Sequence, residues 1–320
     1  MSQYQCAILD DYQNVALQSA DWSSCSPDVT TRVFNRLLGN NDDVVKALKP
    51  FQIICIMRER TPFPRAVIKR LPNLRLLVTT GMRNAAIDLN AAKEMNVLVC
   101  GTQSASHPTA ELTFAHILEF TRKVGFENAR MKAGEVWQTS FGRDLNGKTL
   151  GVIGLGRMGT QVANIAKAFG MNVVAWSQNL TPAKCDQIGV TYVSKDDLMR
   201  QSDFITIHVQ LSDRTRGLIG AAEFARMMPS AFLVNTSRGP IVDETALINA
   251  LRDEQIAGAG IDVFDPEPLP LDHPFRTLAR AQITPHLGYV TEDNYRLSYG
   301  QVVEDICAFL AGNPIRVVLN

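Results

Sequence analysis

The chain has six cysteines, Cys6, Cys25, Cys55, Cys100, Cys185 and Cys307, and no CxxC pair among them. Their wide spacing and the lack of such a pair suit reduced core thiols better than a disulfide framework or a zinc site. The five histidines form neither HExxH nor HxxxH, so a metal-dependent hydrolase is set aside and no metal is expected. No run of about 18 consecutive apolar residues occurs, and the N-terminal MSQYQCAILDDYQ lacks the basic flank and apolar stretch of a signal peptide. The expected compartment is therefore the cytoplasm, with no membrane partner. Neither sign of charge is in excess: Lys plus Arg and Asp plus Glu stand at 32 each. Nothing in that balance draws the chain to nucleic acid, and a small molecule is the expected partner. Repeats, low-complexity tracts and charge blocks are absent as well.

What is present is 320 residues, 46% of them hydrophobic, enough to bury a core in each of two domains. Short apolar runs bounded by turn residues, each followed by helical spacing, recur along the chain, the alternation of a parallel α/β fold. A first series of strands is expected at Cys6 to Leu9, Thr30 to Phe34, Ile53 to Ile56, Leu76 to Thr79 and Val97 to Cys100. A second is expected near Leu150 to Leu155, Asn172 to Ser177, Phe204 to Val209, Ala231 to Asn235, Gly260 to Val263 and Gln282 to Thr284. The spacing predicts one long helix over Thr109 to Arg130, joining the two series, and a last helix over Asn294 to Ala311.

The stretch LGVIGLGRMGTQVANIAKAFGMNVVAWS places GxGxxG between an apolar strand and a helix with a buried face of Val162, Ile165, Ala166 and Phe169, ending at Gly170. In that context Gly154 permits the tight turn, Gly156 lets backbone approach a pyrophosphate, and Gly159 lets the helix pack on the strand. The helix N-terminus, with Arg157 and Met158 in its first turn, offers N–H donors and a positive dipole to phosphates. The second strand ends at Ser177, Gln178 and Asn179, where an acidic residue would select NAD and a basic one would hold the 2′-phosphate of NADP. Neither is there, so NAD and NADP both stay open.

Arg238, Glu267 and His286 each follow an expected strand, in VNTSRGPIVDE, GIDVFDPEPLP and ITPHLGY, where a doubly wound sheet collects its ligands. A histidine can donate a proton to a carbonyl oxygen, a carboxylate beside it favours the imidazolium, and an arginine fork pairs with a carboxylate. The segments GLGRMG, NTSRGPIVDE, AGAGIDVFDPEPLP and TPHLGY, in this order and spacing between about Leu76 and Arg316, resemble the D-isomer-specific 2-hydroxyacid dehydrogenase family.

That resemblance implies a Rossmann-type doubly wound parallel sheet in residues 104–290 and a smaller flavodoxin-like α/β substrate domain in residues 1–103 and 291–320. It implies hydride transfer between NAD(P)H and a 2-keto acid or D-2-hydroxy acid, with His286 as acid/base, Glu267 as its partner and Arg238 on the substrate carboxylate. It also puts Asp262 at the nicotinamide amide and Thr236 along the cofactor, with Ser177, His208, Thr215 and Gly288 completing the cofactor set. Backbone N–H groups near Gly81, Met82 and Arg83 are expected to hold the carboxylate. The family usually has Gly where this chain has Arg83, and phosphoglycerate-oxidising relatives carry an arginine at the position of Arg58; both arginines are expected at the distal end of the substrate. A homodimer is implied, with the segment around Phe126 to Trp137 contributing. Glu267 argues against the formate-oxidising pattern, which has Gln there. A phosphite dehydrogenase remains an alternative, as does an NADH-responsive corepressor, although the chain ends at Asn320 without the long tail expected of the latter.

Overall fold

The computed structural model describes residues 4–25 and 28–318; residues 1–3, 26–27 and 319–320 lie outside that description. The chain divides into two compact units. Unit 1 takes the chain up to Ala105 and again from Thr291 onward, and unit 2 is Ser106–Val290.

Among the described residues, the first segment of unit 1 holds five strands, β1 (Tyr4–Ile8), β2 (Val29–Val33), β3 (Ile53–Ile56), β4 (Leu76–Thr79) and β5 (Leu98–Gly101), and three α-helices, α1 (Asn41–Leu48), α2 (Arg65–Ile68) and α3 (Leu89–Glu94). The strands are all parallel in the order β2-β1-β3-β4-β5, the flavodoxin-like order. β3 and β4 are buried throughout, as central strands covered on both faces must be, and they read as unbroken apolar runs rather than alternating ones. α1 starts at a reciprocal cap, with Asn40 accepting from the Asp42 and Asp43 amides while Asp43 accepts from the Asn40 amide.

Unit 2 begins with α4 (His107–Arg122) and α5 (Val124–Lys132). The single helix expected over Thr109 to Arg130 is thus two, because Lys123 adopts the left-handed conformation (φ 51°) and donates its amide to Glu119 as a C-cap. The break falls at Lys123 rather than at a glycine, two residues before Gly125, the one glycine in the expected helix. Seven parallel strands follow: β6 (Thr149–Ile153), β7 (Asn172–Trp176), β8 (Thr191–Tyr192), β9 (Phe204–Ile207), β10 (Phe232–Asn235), β11 (Gly258–Ile261) and β12 (Ala281–Ile283). Among them lie α6 (Arg157–Ala168), α7 (Pro182–Ile188), α8 (Lys195–Gln201), α9 (Ala221–Phe224) and α10 (Glu244–Arg252). The order β12-β11-β10-β9-β6-β7-β8 is that of a doubly wound dinucleotide sheet with one added strand, and the order reverses between β6 and β9. Separate apolar cores cover the two faces, one around Val152, Val162, Phe204 and Val234, the other around Ile205, Ile207, Leu233 and Ile261.

The last helix, α11 (Glu292–Leu310), returns to unit 1 and packs on β4 and on the turn Trp22–Cys25. No helix among the described residues is long and apolar enough to cross a membrane.

Candidate active site

At the reversal between β6 and β9 the fingerprint has the geometry its glycines require. Gly154 sits at φ 99°, and a Cβ there would come within 2.8 Å of the His208 backbone at the end of β9. A Cβ on Gly159 would collide with the Gly154 carbonyl, whereas Gly156, the N-cap of α6, has no atom within 4 Å of where its Cβ would stand. The first two contacts explain why the turn closes, and the open space at Gly156 leaves room for a ligand against the amides that begin α6. The buried face of α6 is Val162, Ala163 and Ala166. Phe169, expected inside, is 40% exposed and stacks on Phe114, because the helix ends at that residue and Gly170 turns left-handed (φ 72°). Arg157 is exposed and Met158 half-buried in the first turn; Ser177 is half-buried past β7.

His208 has both ring nitrogens buried and without a hydrogen-bond partner, and burial pushes its pKa down to about 4. The ring is neutral at physiological pH. Thr215 spends its hydroxyl inside its own turn, donating to Gln210 O at 2.6 Å and accepting from the Ser212 amide at 2.8 Å.

The three residues expected to do chemistry all lie on loops past carboxyl ends of unit 2 strands. His286 follows β12 with φ 53°, a conformation that is uncommon for a non-glycine residue and that recurs at functional sites. Its Nδ1 lies 2.7 Å from Glu267 Oε2, and the other carboxylate oxygen accepts the Phe264 amide at 2.9 Å. Nδ1 therefore donates, and the ring orientation is fixed by a carboxylate that is itself held by backbone. Tyr289 stands edge-on to the ring at 5.6 Å.

The His286 loop is tied down by Asp262, fully buried at the end of β11. One of its oxygens accepts from the Thr284 hydroxyl (2.6 Å) and the Leu287 amide (2.7 Å), and the other from the Gly288 amide (2.9 Å). Burial raises its carboxyl pKa; the Thr284 hydrogen bond, the two amides and nearby His286 oppose the rise. The Gly288 carbonyl in turn accepts from Thr109 of α4 at 2.7 Å. Thr236 pairs its hydroxyl with that of Thr113 at 3.2 Å.

Arg238 precedes the 3-10 turn Gly239–Ile241. Asn235 shapes this corner by donating to the Arg238 carbonyl (3.0 Å) and accepting the Ser237 amide (3.0 Å). A Cβ on Gly239 would fall 2.6 Å from the Phe264 carbonyl carbon, so this glycine brings the Arg238 turn against the loop that carries Glu267. Asn235, Thr284 and Thr109 were missed in the sequence. Thr284 and Asn235 lie within the quoted motifs, but their roles are contacts across the fold that spacing does not encode.

In unit 1 the segment after β4 meets the segment after β3. Arg58 (φ 51°) donates its amide to Thr80 Oγ1 at 3.0 Å and accepts at its carbonyl from Asn84 Nδ2 at 2.6 Å. Its side chain is 20% exposed, and Gly81 (φ 102°) lacks a Cβ that would stand 3.0 Å from Arg58 Nη1. Arg83 and Met82 are exposed. One expectation needs correction: the Gly81 amide donates to Thr102 Oγ1 at 3.0 Å and so is already used, because the turn after β4 is latched to β5. Among the described residues the Met82 and Arg83 amides make no hydrogen bond within the chain. Past β1, buried Asp10 accepts from Thr61 (2.8 Å) and Tyr12 (3.1 Å), and burial raises its carboxyl pKa. No group of three or more His, Cys, Asp or Glu side chains able to hold a metal occurs among the described residues.

The sequence model described as "D-isomer specific 2-hydroxyacid dehydrogenase, NAD binding domain" matches residues 114–288. The chain is 36% identical over 282 residues to a D-3-phosphoglycerate dehydrogenase of Methanocaldococcus jannaschii, an alignment covering 87% of this chain and 53% of that one. This chain thus spans about half the length of that relative. With a glyoxylate reductase of Aeropyrum pernix the identity is 36% over 255 residues, covering 77% of this chain and 76% of the relative. A crystal structure of a phosphoglycerate oxidoreductase from Vibrio cholerae superposes with a TM-score of 0.91 at 30% identity, covering 97% of this chain and 99% of that one.

Proposed function

This chain belongs to the D-isomer specific 2-hydroxyacid dehydrogenase family, and from that membership we propose that it interconverts a 2-keto acid and a D-2-hydroxy acid with NAD(P)(H). The observation that carries the reading is the 2.7 Å pair between His286 Nδ1 and Glu267 Oε2, on loops past the strands of a sheet that also bears the dinucleotide fingerprint.

The open approach at Gly156 and the amides of α6 fit a pyrophosphate, with Gly154, Arg157, Met158, Gly159, Ser177, His208, Thr215, Thr236, Asp262 and Gly288 as the cofactor set. A bound nicotinamide supplies or accepts the hydride. With Nδ1 engaged by Glu267, acid/base duty falls to His286 Nε2, which gives a proton to the carbonyl oxygen in reduction and takes it back in oxidation. Glu267 holds the ring in this tautomer and stabilises the imidazolium. Arg238 pairs with the substrate carboxylate through its planar fork and polarises the carbonyl. The Met82 and Arg83 amides are assigned to that carboxylate as well, and the Arg58 and Arg83 side chains to an anionic distal group of the substrate. The free cysteines support a reducing compartment, the cytoplasm.

The test is oxidation of NADH and of NADPH by the purified protein with glyoxylate, hydroxypyruvate, pyruvate and bulkier 2-keto acids. Turnover that His286→Ala abolishes is the expected result; nucleotide binding without turnover of any of them refutes the reading.

A further inference from the structure

Unit 2 contains a second His–Glu pair that the chemistry above does not use. His273 caps the 3-10 turn Pro274–Arg276, its Nδ1 accepting the Phe275 amide at 3.2 Å. An accepting Nδ1 puts the ring proton on Nε2, which lies 3.0 Å from Glu244 Oε1 and donates to it. The histidine side chain is 10% exposed and the carboxylate 38%.

The chain positions of the two partners give the pair its meaning. Glu244 is the first residue of α10, directly after the turn that begins at Arg238. His273 closes the irregular loop that carries Glu267. The two loops already meet once, where Gly239 lies against Phe264, and the His273–Glu244 pair joins them a second time. Between the two joins lies a small cavity lined by Asn235, Gly239, Val242, Glu244, Val263 and Phe275. The His273–Glu244 hydrogen bond adds a polar link to the apolar core that Val242, Leu247, Phe264 and Phe275 form there.

We propose that His273 and Glu244 are positioning residues whose hydrogen bond holds the Arg238 turn in register with the Glu267 loop, and through it with His286. The proposal rests on the functional reading above, but it predicts a change that can be seen without substrate. A single hydrogen bond from a neutral imidazole to a partly exposed carboxylate adds modest net stability, so its loss shows chiefly in geometry.

The experiment compares Glu244→Ala, Glu244→Gln and His273→Asn with the wild type, each with NAD(H) bound. Gln keeps an acceptor oxygen for Nε2. Asn keeps an acceptor for the Phe275 amide but is too short to reach Glu244, which separates capping from clipping. Glu244→Ala and His273→Asn should lower kcat about 10- to 100-fold, the scale of a small misplacement of reacting groups. Glu244→Gln should stay near wild type, and nucleotide affinity should be unchanged in all three. The imidazole N–H proton resonance of His286, assigned by its loss in His286→Ala, should broaden or vanish in the two impaired variants and persist in Glu244→Gln. Impaired variants that keep this resonance and the wild-type kcat, or that lose only melting temperature, overturn the proposal. Should Glu244→Ala fail to fold, His273→Asn carries the test. If the wild type reduces none of the 2-keto acids, the functional reading fails and the His286 resonance alone decides the clip.

Discussion

At the scale of single residues the site is a set of polar groups each given one task by its partners. Glu267 uses both oxygens, one on His286 and one on the Phe264 amide, so Glu267→Gln keeps the shape of the link but presents a weaker acceptor to an imidazolium. That variant should lose about 10-fold or more in kcat, and His286→Ala about 100- to 10,000-fold, with nucleotide affinity retained in both; steady-state kinetics with the best substrate checks each. Asp262 differs in kind. Asp262→Ala would leave the Thr284 hydroxyl and the Leu287 and Gly288 amides without their acceptor, at about 1–3 kcal/mol for each one left buried and unsatisfied. The expected result is a lower melting temperature together with lost activity, whereas His286→Ala should leave melting nearly unchanged. That Arg238, Glu267 and His286 lie on loops past strand ends was legible in the sequence, because each lies in a motif with a turn glycine or proline beside it. The second roles were not: that Asp262 organises the His286 loop, and that the Gly81 amide is taken by Thr102, are facts of three-dimensional approach between segments far apart in the chain.

Among the elements, buried parallel strands announce themselves as short apolar runs, and β3 and β4 begin and end where the sequence places them. β8 escaped notice, since its two residues, Thr191 and Tyr192, are both exposed and carry no apolar run. α11 holds a feature that periodicity also hides. Asp305 is fully buried on it, its Oδ1 3.0 Å from Arg316 Nε, while the Arg316 carbonyl accepts the Gly101 amide and Val318 donates to the Val99 carbonyl, fastening the tail to β5. Burial pushes the Asp305 carboxyl up to about 7 from 3.8, against the pull of Arg316. The folded state then keeps a proton that the unfolded chain gives up near pH 4. Its stabilising contribution is complete below that pH and is lost as the pH rises to about 7, by about 1.4 kcal/mol for each pH unit of that window. Asp305→Asn, which keeps an acceptor for Arg316, should flatten the fall in unit 1 stability between pH 4 and 7 and raise the melting temperature at pH 8; thermal unfolding across that range measures both.

On the scale of the whole molecule the balanced charge leaves apolar surface as the main guide to self-association. α5 buries none of its residues, and the stretch from it to Phe141 exposes Val124 (65%), Val136 (89%), Trp137 (70%) and Phe141 (92%). Apolar side chains this open to water within one stretch of chain make it a candidate contact surface, and their aromatic content matches the anchors of protein interfaces. The sequence placed an interface around Phe126 to Trp137 by resemblance alone; the exposures add a physical reason and extend the stretch to Phe141. The resemblance implies pairing through the nucleotide unit, so a homodimer, if it forms, is expected to use this stretch. Trp137→Asp combined with Phe141→Ser should then convert a dimer to a monomer in sedimentation velocity. Both side chains are exposed in the single chain, so the double variant should fold as the wild type does and still bind NAD(H). A wild type that sediments as a monomer at all concentrations, or a double variant that still pairs, removes this surface from the assembly.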